Sequence, residues 1–151
     1  MTLPRTYDAD FYPILASETP LIVSINRIPH HFPPHRHEVL EFSLVVEGEG
    51  IEKINGVSHS MAPGTVTLIM PYQIHEIRNT GSEPLVLFNC MFGIDLVLTS
   101  FSNRNEQLAD ALMSYRSPEP YSFRLRDSAR TKMEGLFRDL LREFIHDAPF
   151  R

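Results

Sequence analysis

Between Leu21 and Phe92 the chain is cut into short apolar runs by Pro, Gly and Asn at spacings of about ten residues. Segments of that length suit strands better than helices, because a strand needs only about five residues and a helix at least ten. The runs are Leu21–Ile28, Val39–Glu47, Ile51–Ile54, Val57–Met61, Thr65–Met70, His75–Arg78 and Leu85–Phe92. Pro29 stops the first, and Pro33 with Pro34 makes residues 30–34 read as a stiff loop. Asn55-Gly56 is the pair that a two-residue hairpin favours, since both positions need a positive φ. Pro63-Gly64 and Asn79-Thr80-Gly81-Ser82 turn the chain again. Seven or eight short strands at this spacing predict a sandwich or barrel of antiparallel strands.

The period changes near residue 100. Asn103 or Asn105 can cap a helix carrying Leu108, Ala109, Leu112 and Met113, which Pro118 and Pro120 would end. A short extended piece, Tyr121–Leu125, follows. Asp127 or Ser128 then caps a longer helix reaching about Ile145. Met133, Leu136, Phe137, Leu140, Leu141 and Phe144 form its apolar stripe at helical spacing. Gly135 weakens that helix by about 1 kcal/mol relative to Ala, so packing must hold it. The stripe is read as partly docked on the barrel and partly a dimer seam. Residues 1–20, with Phe11, Tyr12, Ile14 and Leu15 as apolar anchors between prolines, read as an arm draped over the domain. The expected division is an arm over 1–20, a barrel over 21–100 and a helical segment over 101–151.

The balance of 14 basic and 19 acidic residues, a formal charge of −5, argues against this segment gripping a phosphate backbone by itself. Cys90 is the single cysteine, so neither an internal disulfide nor a cysteine zinc knuckle can form, and a cytoplasmic setting is expected. The first residues lack a signal-peptide pattern, and no apolar run approaches a membrane span.

Chemistry concentrates in His35-Arg36-His37-Glu38-Val39-Leu40-Glu41 and in His75. On extended chain, His35, His37 and Glu41 share one face by parity, while Arg36 and Glu38 face away. His75 returning on a neighbouring strand would close three imidazoles and one carboxylate around a point. Such a set can hold Zn²⁺, Ni²⁺, Mn²⁺ or Fe²⁺, or it can be a hydrogen-bonded cluster that binds a polar small molecule. Both readings stand at this level. Val39, Ser43 and Val45 share the inward face, whereas Phe42, Leu44 and Val46 suit packing under helices or the arm. Tyr72, Gln73 and Asn89 are candidate polar contacts at the mouth. His30, His31, His59 and His146 are read as surface residues.

The order His35-x-His37-x3-Glu41-x6-Gly48, then Pro63-Gly64, then Pro71 and His75-x3-Asn79 resembles the two sequence motifs of the cupin superfamily. Pro71-Tyr72-Gln73 departs from the usual Pro-x-Gly of the second motif. This resemblance implies a mainly β fold, a cupin-type double-stranded β-helix (jelly-roll) barrel with C-terminal α-helices. Residues 33–79 as a whole, with Val46-Glu47-Gly48-Glu49-Gly50 and the long C-terminal helix, are similar to the N-terminal effector-binding and dimerisation domain of AraC-family bacterial transcription regulators. That likeness implies a homodimer that binds a small polar effector, such as a carbohydrate, through His35, His37, Glu41, Ser43, Tyr72 and His75. DNA would be reached only through a domain not present in this sequence, which stops at Arg151. Activity as an enzyme is not expected. The alternative is a metal-dependent cupin enzyme of isomerase or dioxygenase type, with His35, His37, Glu41 and His75 as ligands and Tyr72 or Glu76 as acid or base.

Overall fold

The structure, a computed structural model, describes residues 4–8, 21–101 and 120–145. The arm anchors Phe11 to Leu15, the helix expected around residues 103–113, and His146 lie outside the described residues. Among the described residues, ten strands form two five-stranded sheets. They are β1 (Arg5–Tyr7), β2 (Leu21–Ile28), β3 (His31–His37), β4 (Leu40–Glu47), β5 (Gly50–Ile54), β6 (Val57–Met61), β7 (Thr65–Ile69), β8 (His75–Asn79), β9 (Leu85–Phe92) and β10 (Tyr121–Arg124). Two described helices join them, α1 (Ile94–Phe101) and α2 (Asp127–Ile145). One sheet runs β1-β3-β8-β5-β6 and the other β10-β7-β4-β9-β2. Consecutive strands thus alternate between sheets through much of the chain, as in a jelly roll.

The hairpin forms where expected. Asn55 and Gly56 take φ of 48° and 91°, and the two-residue turn fixes the register Ile54↔Val57, Lys53↔Ser58, Glu52↔His59. Gly64, at φ 93°, admits no side chain, because a Cβ there would stand 2.3 Å from the Leu125 carbonyl oxygen where β10 joins the sheet.

Four features differ from expectation. Residues 31–34 are not a loop but the first half of β3, paired with β8 at His31↔Arg78 and Phe32↔Ile77. A register shift falls between Phe32 and His35, where Pro33 and Pro34 have no N–H to give the ladder. The helix α1 follows β9 directly, where no helix is expected before about residue 103. The described part of the arm is not merely draped over the barrel, since β1 hydrogen-bonds as a parallel edge strand to β3, Arg5↔His35 to Tyr7↔His37. The extended piece near residue 121 becomes β10, so the barrel draws on residues beyond 100.

Two apolar layers hold this together. Inside the barrel, Ile28, Val45, Met61, Ile77, Leu85 and Leu87 form one buried cluster. Outside, α2 lies on the second sheet, with Phe137 buried among Val23, Leu44, Val66, Phe88 and Cys90. Phe42, Val46, Met133, Leu140, Leu141 and Phe144 pack around that cluster, as the even-numbered face of β4 suggests. Of the α2 stripe, Leu136 alone is largely turned out, at 53% exposed. Docking on its own barrel therefore uses the other five stripe residues.

Candidate functional site

β4 brings Glu41 in beside β9, while β3 and β8 set His35 directly opposite His75 in register. All four residues of the sequence cluster are buried: His35, His37, Glu41 and His75. They line one side of a cavity of about 310 Å³. The ring centres of His35 and His75 are 4.0 Å apart, and those of His37 and His75 5.2 Å. Potential ligand atoms of His35, Glu41 and His75 lie within 4.8 Å of one another.

The hydrogen bonds of the imidazoles decide what these rings can do. Nδ1 of His35 donates to the Pro33 carbonyl at 2.9 Å, and Nδ1 of His37 donates to the Val39 carbonyl at 2.7 Å. Nδ1 of His75 donates to Glu52 Oε1 at 3.1 Å. Carbonyls and carboxylates only accept, so each ring carries its proton on Nδ1. In the neutral ring Nε2 is then a bare lone pair. Nε2 of His37 and of His75 has no hydrogen-bond partner among the described residues. Glu41 Oε2 stands 2.9 Å from the first and 3.9 Å from the second, close but without hydrogen-bond alignment.

Lone pairs and a carboxylate oxygen crowded together repel unless something positive sits among them. A divalent cation meets that demand. Acceptors on every Nδ1 are also what metal-bound imidazoles need behind them. The residues present thus fit a metal, with His35, Glu41 and His75 as its holders; His37, the fourth expected ligand, stands beside Glu41 but outside that mutual spacing, its ring centre 6.4 Å from that of His35. Extra protons on the imidazoles would answer the same demand.

Titration follows from this crowding. Burial, then the nearby His75, push His35 down to about 4. Burial would raise the Glu41 carboxyl, but the His37 contact and the surrounding imidazole charges hold it down to about 2. Burial also opposes charge on His75, yet the Glu52 hydrogen bond and the two carboxylates raise it.

The remaining sequence candidates fall differently. Asn89 lines the cavity, buried, with its Oδ1 unpartnered. Ser43 is buried in the second sheet between Thr67 and Asn89 but is not among the lining residues. Tyr72 is corrected: it is 62% exposed, outside the cavity wall, and offers its backbone N–H to the His37 carbonyl at 2.7 Å. Gln73 caps its own turn, its Oε1 accepting from Met70 N–H. Glu76 points away from His75 by parity and meets His31 and Lys53 outside. The sequence reading missed Tyr7 and Phe32, which supply an aromatic wall beside His35, with ring centres 5.4 and 4.4 Å from it. It also missed Glu52, almost fully buried, and took His59 for a surface residue. His59 Nε2 bonds Glu52 Oε2 at 3.1 Å and is half-buried.

With that geometry established, likeness to known proteins can be stated. Residues 27–91 match the family described as Cupin domain, and the fold is the cupin double-stranded β-helix with a C-terminal helix. A gentisate 1,2-dioxygenase from Streptomyces sp is 35% identical over 69 residues, 45% of this chain and 18% of that protein. The HTH-type transcriptional activator RhaS of Mannheimia succiniciproducens is 29% identical over 110 residues, 72% of this chain and 38% of that protein. The chain therefore spans well under half the length of these curated relatives. Among solved structures, the Cnp3 cupin domain of Schizosaccharomyces pombe is similar at 14% identity, covering 54% of this chain and 62% of that one, with a TM-score of 0.48. No described helix is long and apolar enough to cross a membrane.

Proposed function

We propose that this chain is the ligand-sensing and dimerisation part of an AraC-like transcription regulator. It takes up a small hydroxylated molecule in the histidine-lined cavity. The observation that carries this reading is Tyr7: the N-terminal strand lies along β3 and places this ring in the cavity wall against His35. A ligand entering the cavity meets the arm and the histidines together. The likeness to RhaS supports it, because 110 matched residues must run well beyond the 65 of the cupin match, residues 27–91.

The cavity also limits the ligand. Its volume is at the small end of ligand pockets, enough for one ring. One wall is polar, with the three histidines, Glu41 and Asn89; the other is apolar, with Tyr7, Ile25, Ile28, Phe32 and Met91. A sugar suits both, hydroxyls toward the first and a ring face toward the second. Binding would shift how the arm and α2 sit in a homodimer, and so how a DNA-binding domain outside this sequence is presented, in the cytoplasm. That requires different ligand affinity in the two arrangements. A thermal-shift screen of monosaccharides and related polyols identifies a ligand; limited proteolysis of residues 1–20 and sedimentation then test the switch. If a saturating ligand changes neither arm cleavage nor self-association, the switching mechanism is wrong.

A metal-dependent enzyme is the second reading, favoured by the unpartnered Nε2 atoms and by the dioxygenase likeness. A divalent ion on His35, Glu41 and His75, with His37 beside it, would supply Lewis-acid or redox activation of a substrate oxygen. The residues around it are less suited to turnover. Tyr72 and Glu76 both lie outside the cavity lining, so neither is placed to move a proton there. Metal content with activity on hydroxylated aromatic acids and sugars separates the two readings.

A further inference from the structure

Glu52 is 1% exposed, and the sensing and metal readings leave it without a task. Along β5, Gly50, Glu52 and Ile54 are buried while Ile51 and Lys53 are exposed, so Glu52 points into the barrel. It faces His59 across the hairpin in register and reaches His75 diagonally, since Ile54 is the direct partner of His75. Each carboxylate oxygen meets one imidazole nitrogen at 3.1 Å, Oε1 with His75 Nδ1 and Oε2 with His59 Nε2. His59 is on the edge strand β6 and lines a separate outer groove with Ser58, Ser60 and Arg124. A chain of three groups thus runs from the cavity through the barrel wall to the outer surface.

We propose that Glu52, held from outside by His59, is a positioning residue for His75: it fixes the His75 proton on Nδ1 and aims the Nε2 lone pair into the cavity. This rests on the reading that the cluster accepts a cation. A buried carboxylate needs a partner on each oxygen, and His59 alone would satisfy only one. The second bond goes to a ring whose far nitrogen has no partner. Its chemical consequence is therefore at Nε2. His59, donating from the opposite side, keeps the carboxylate from rotating away.

Glu52→Gln keeps the shape but removes the directionality, because an amide can donate to Nδ1 as readily as it accepts from it. The test measures Zn²⁺ affinity by calorimetry and imidazole ¹⁵N shifts by NMR, on the wild type, Glu52→Gln and His59→Gln. Above the raised His75 value, where the ring is neutral, wild-type His75 should carry its proton on Nδ1 with or without Zn²⁺. In Glu52→Gln that proton should spread to Nε2, and Zn²⁺ affinity should fall about 10- to 100-fold. His59→Gln should cause a loss of the same kind, under about tenfold. Affinity within twofold of wild type together with an unchanged His75 proton overturns the proposal, as does a wild-type His75 protonated on Nε2 alone. If the wild type takes up no Zn²⁺, the metal reading fails. The ¹⁵N comparison then still decides the role of Glu52. Should Glu52→Gln not fold, His59→Gln decides by the same two measurements.

Discussion

The two ends of the barrel interior are lined by the same strands and built to opposite rules. β4 contributes Glu41 at one end and Val45 at the other; β8 contributes His75 and Ile77; β9 contributes Asn89 and Leu85. One end is sealed by Ile28, Val45, Met61, Ile77, Leu85 and Leu87, of which Ile28, Ile77 and Leu87 also form the cavity's apolar floor. The other is hollow, with lone pairs and a carboxylate left facing one another. Concentrating apolar burial at one end lets the fold tolerate crowded polar groups at the other, the kind of local conflict that marks functional sites. Separate mutational responses at the two ends are the direct consequence.

The largest stability effect is expected at the sealed end. Leu85 is fully buried, and Leu85→Ala should cost about 2–5 kcal/mol in urea unfolding. Zn²⁺ affinity per folded molecule should be unchanged. A cost under about 1 kcal/mol would mean that the sealed end can collapse and is not what holds the barrel. At the hollow end the balance reverses. His37→Ala should lower Zn²⁺ affinity by at least about 100-fold and cost about 1–3 kcal/mol of metal-free stability, because it empties a buried site, removes the Nδ1 bond to the Val39 carbonyl and takes the His37 contact from Glu41. Metal analysis of protein purified without chelators, wild type against variant, checks this. Absence of metal from both, even after Zn²⁺ or Ni²⁺ is added, would leave the cluster as polar contacts for an organic ligand.

How far the sequence reveals this contrast depends on the local signal. Strands bounded by Gly and Pro-Gly turns are legible, and so is the His-x-His parity that puts His35 and His37 on one face. Residues 31–34 are not, because consecutive prolines usually punctuate, whereas here they fall at the register shift of a strand that continues. The eight residues of α1 are too few and too apolar to show a period. Glu52 illustrates a subtler failure. Ile51-Glu52-Lys53-Ile54 gives no clear inward face by hydropathy alone. Yet the Asn55-Gly56 turn fixes the register, and counting back from it pairs Glu52 with His59. A carboxylate opposite an imidazole on a barrel strand is the clue that hydropathy hides. The aromatic wall from Tyr7 depends on a long-range pairing of β1 with β3 that no local pattern encodes.

Acid should strain the hollow end before the sealed one. His35 is held down to about 4 against an ordinary 6.5, so the unfolded chain binds this proton more tightly. Its contribution to stability is present above 6.5 and lost as pH falls through the window from 6.5 to 4. His75 is raised, so its contribution has the opposite sign, present below 6.5 and lost as pH rises. Between pH 6.5 and 4 the two slopes therefore oppose each other. His35→Gln should remove the His35 loss and leave the His75 slope, seen in chemical unfolding between pH 5 and 8, above the range where the contributions of Glu41 and Glu52 fade. If His35→Gln keeps the wild-type profile, the buried ring is not the group that titrates.

The smallest effect tests the outer layer beneath α2. Cys90 lies on β9 opposite Phe42 and Val23, buried beneath α2 with Phe137. Burial, then the charge of Glu41, push its thiol up to about 12. Only the thiolate attacks disulfide reagents, so Cys90 should stay silent toward Ellman's reagent at pH 8 and react at the rate of global unfolding. A raised folded value also means that the stability it contributes is present below about 9 and fades as pH climbs from 9 to 12. Labelling within seconds in native buffer would show α2 lifting from the sheet independently of the barrel. The apolar face of that helix would then be free to exchange partners, and the division between a firm end and an adaptable end would run between barrel and helix, not within the barrel.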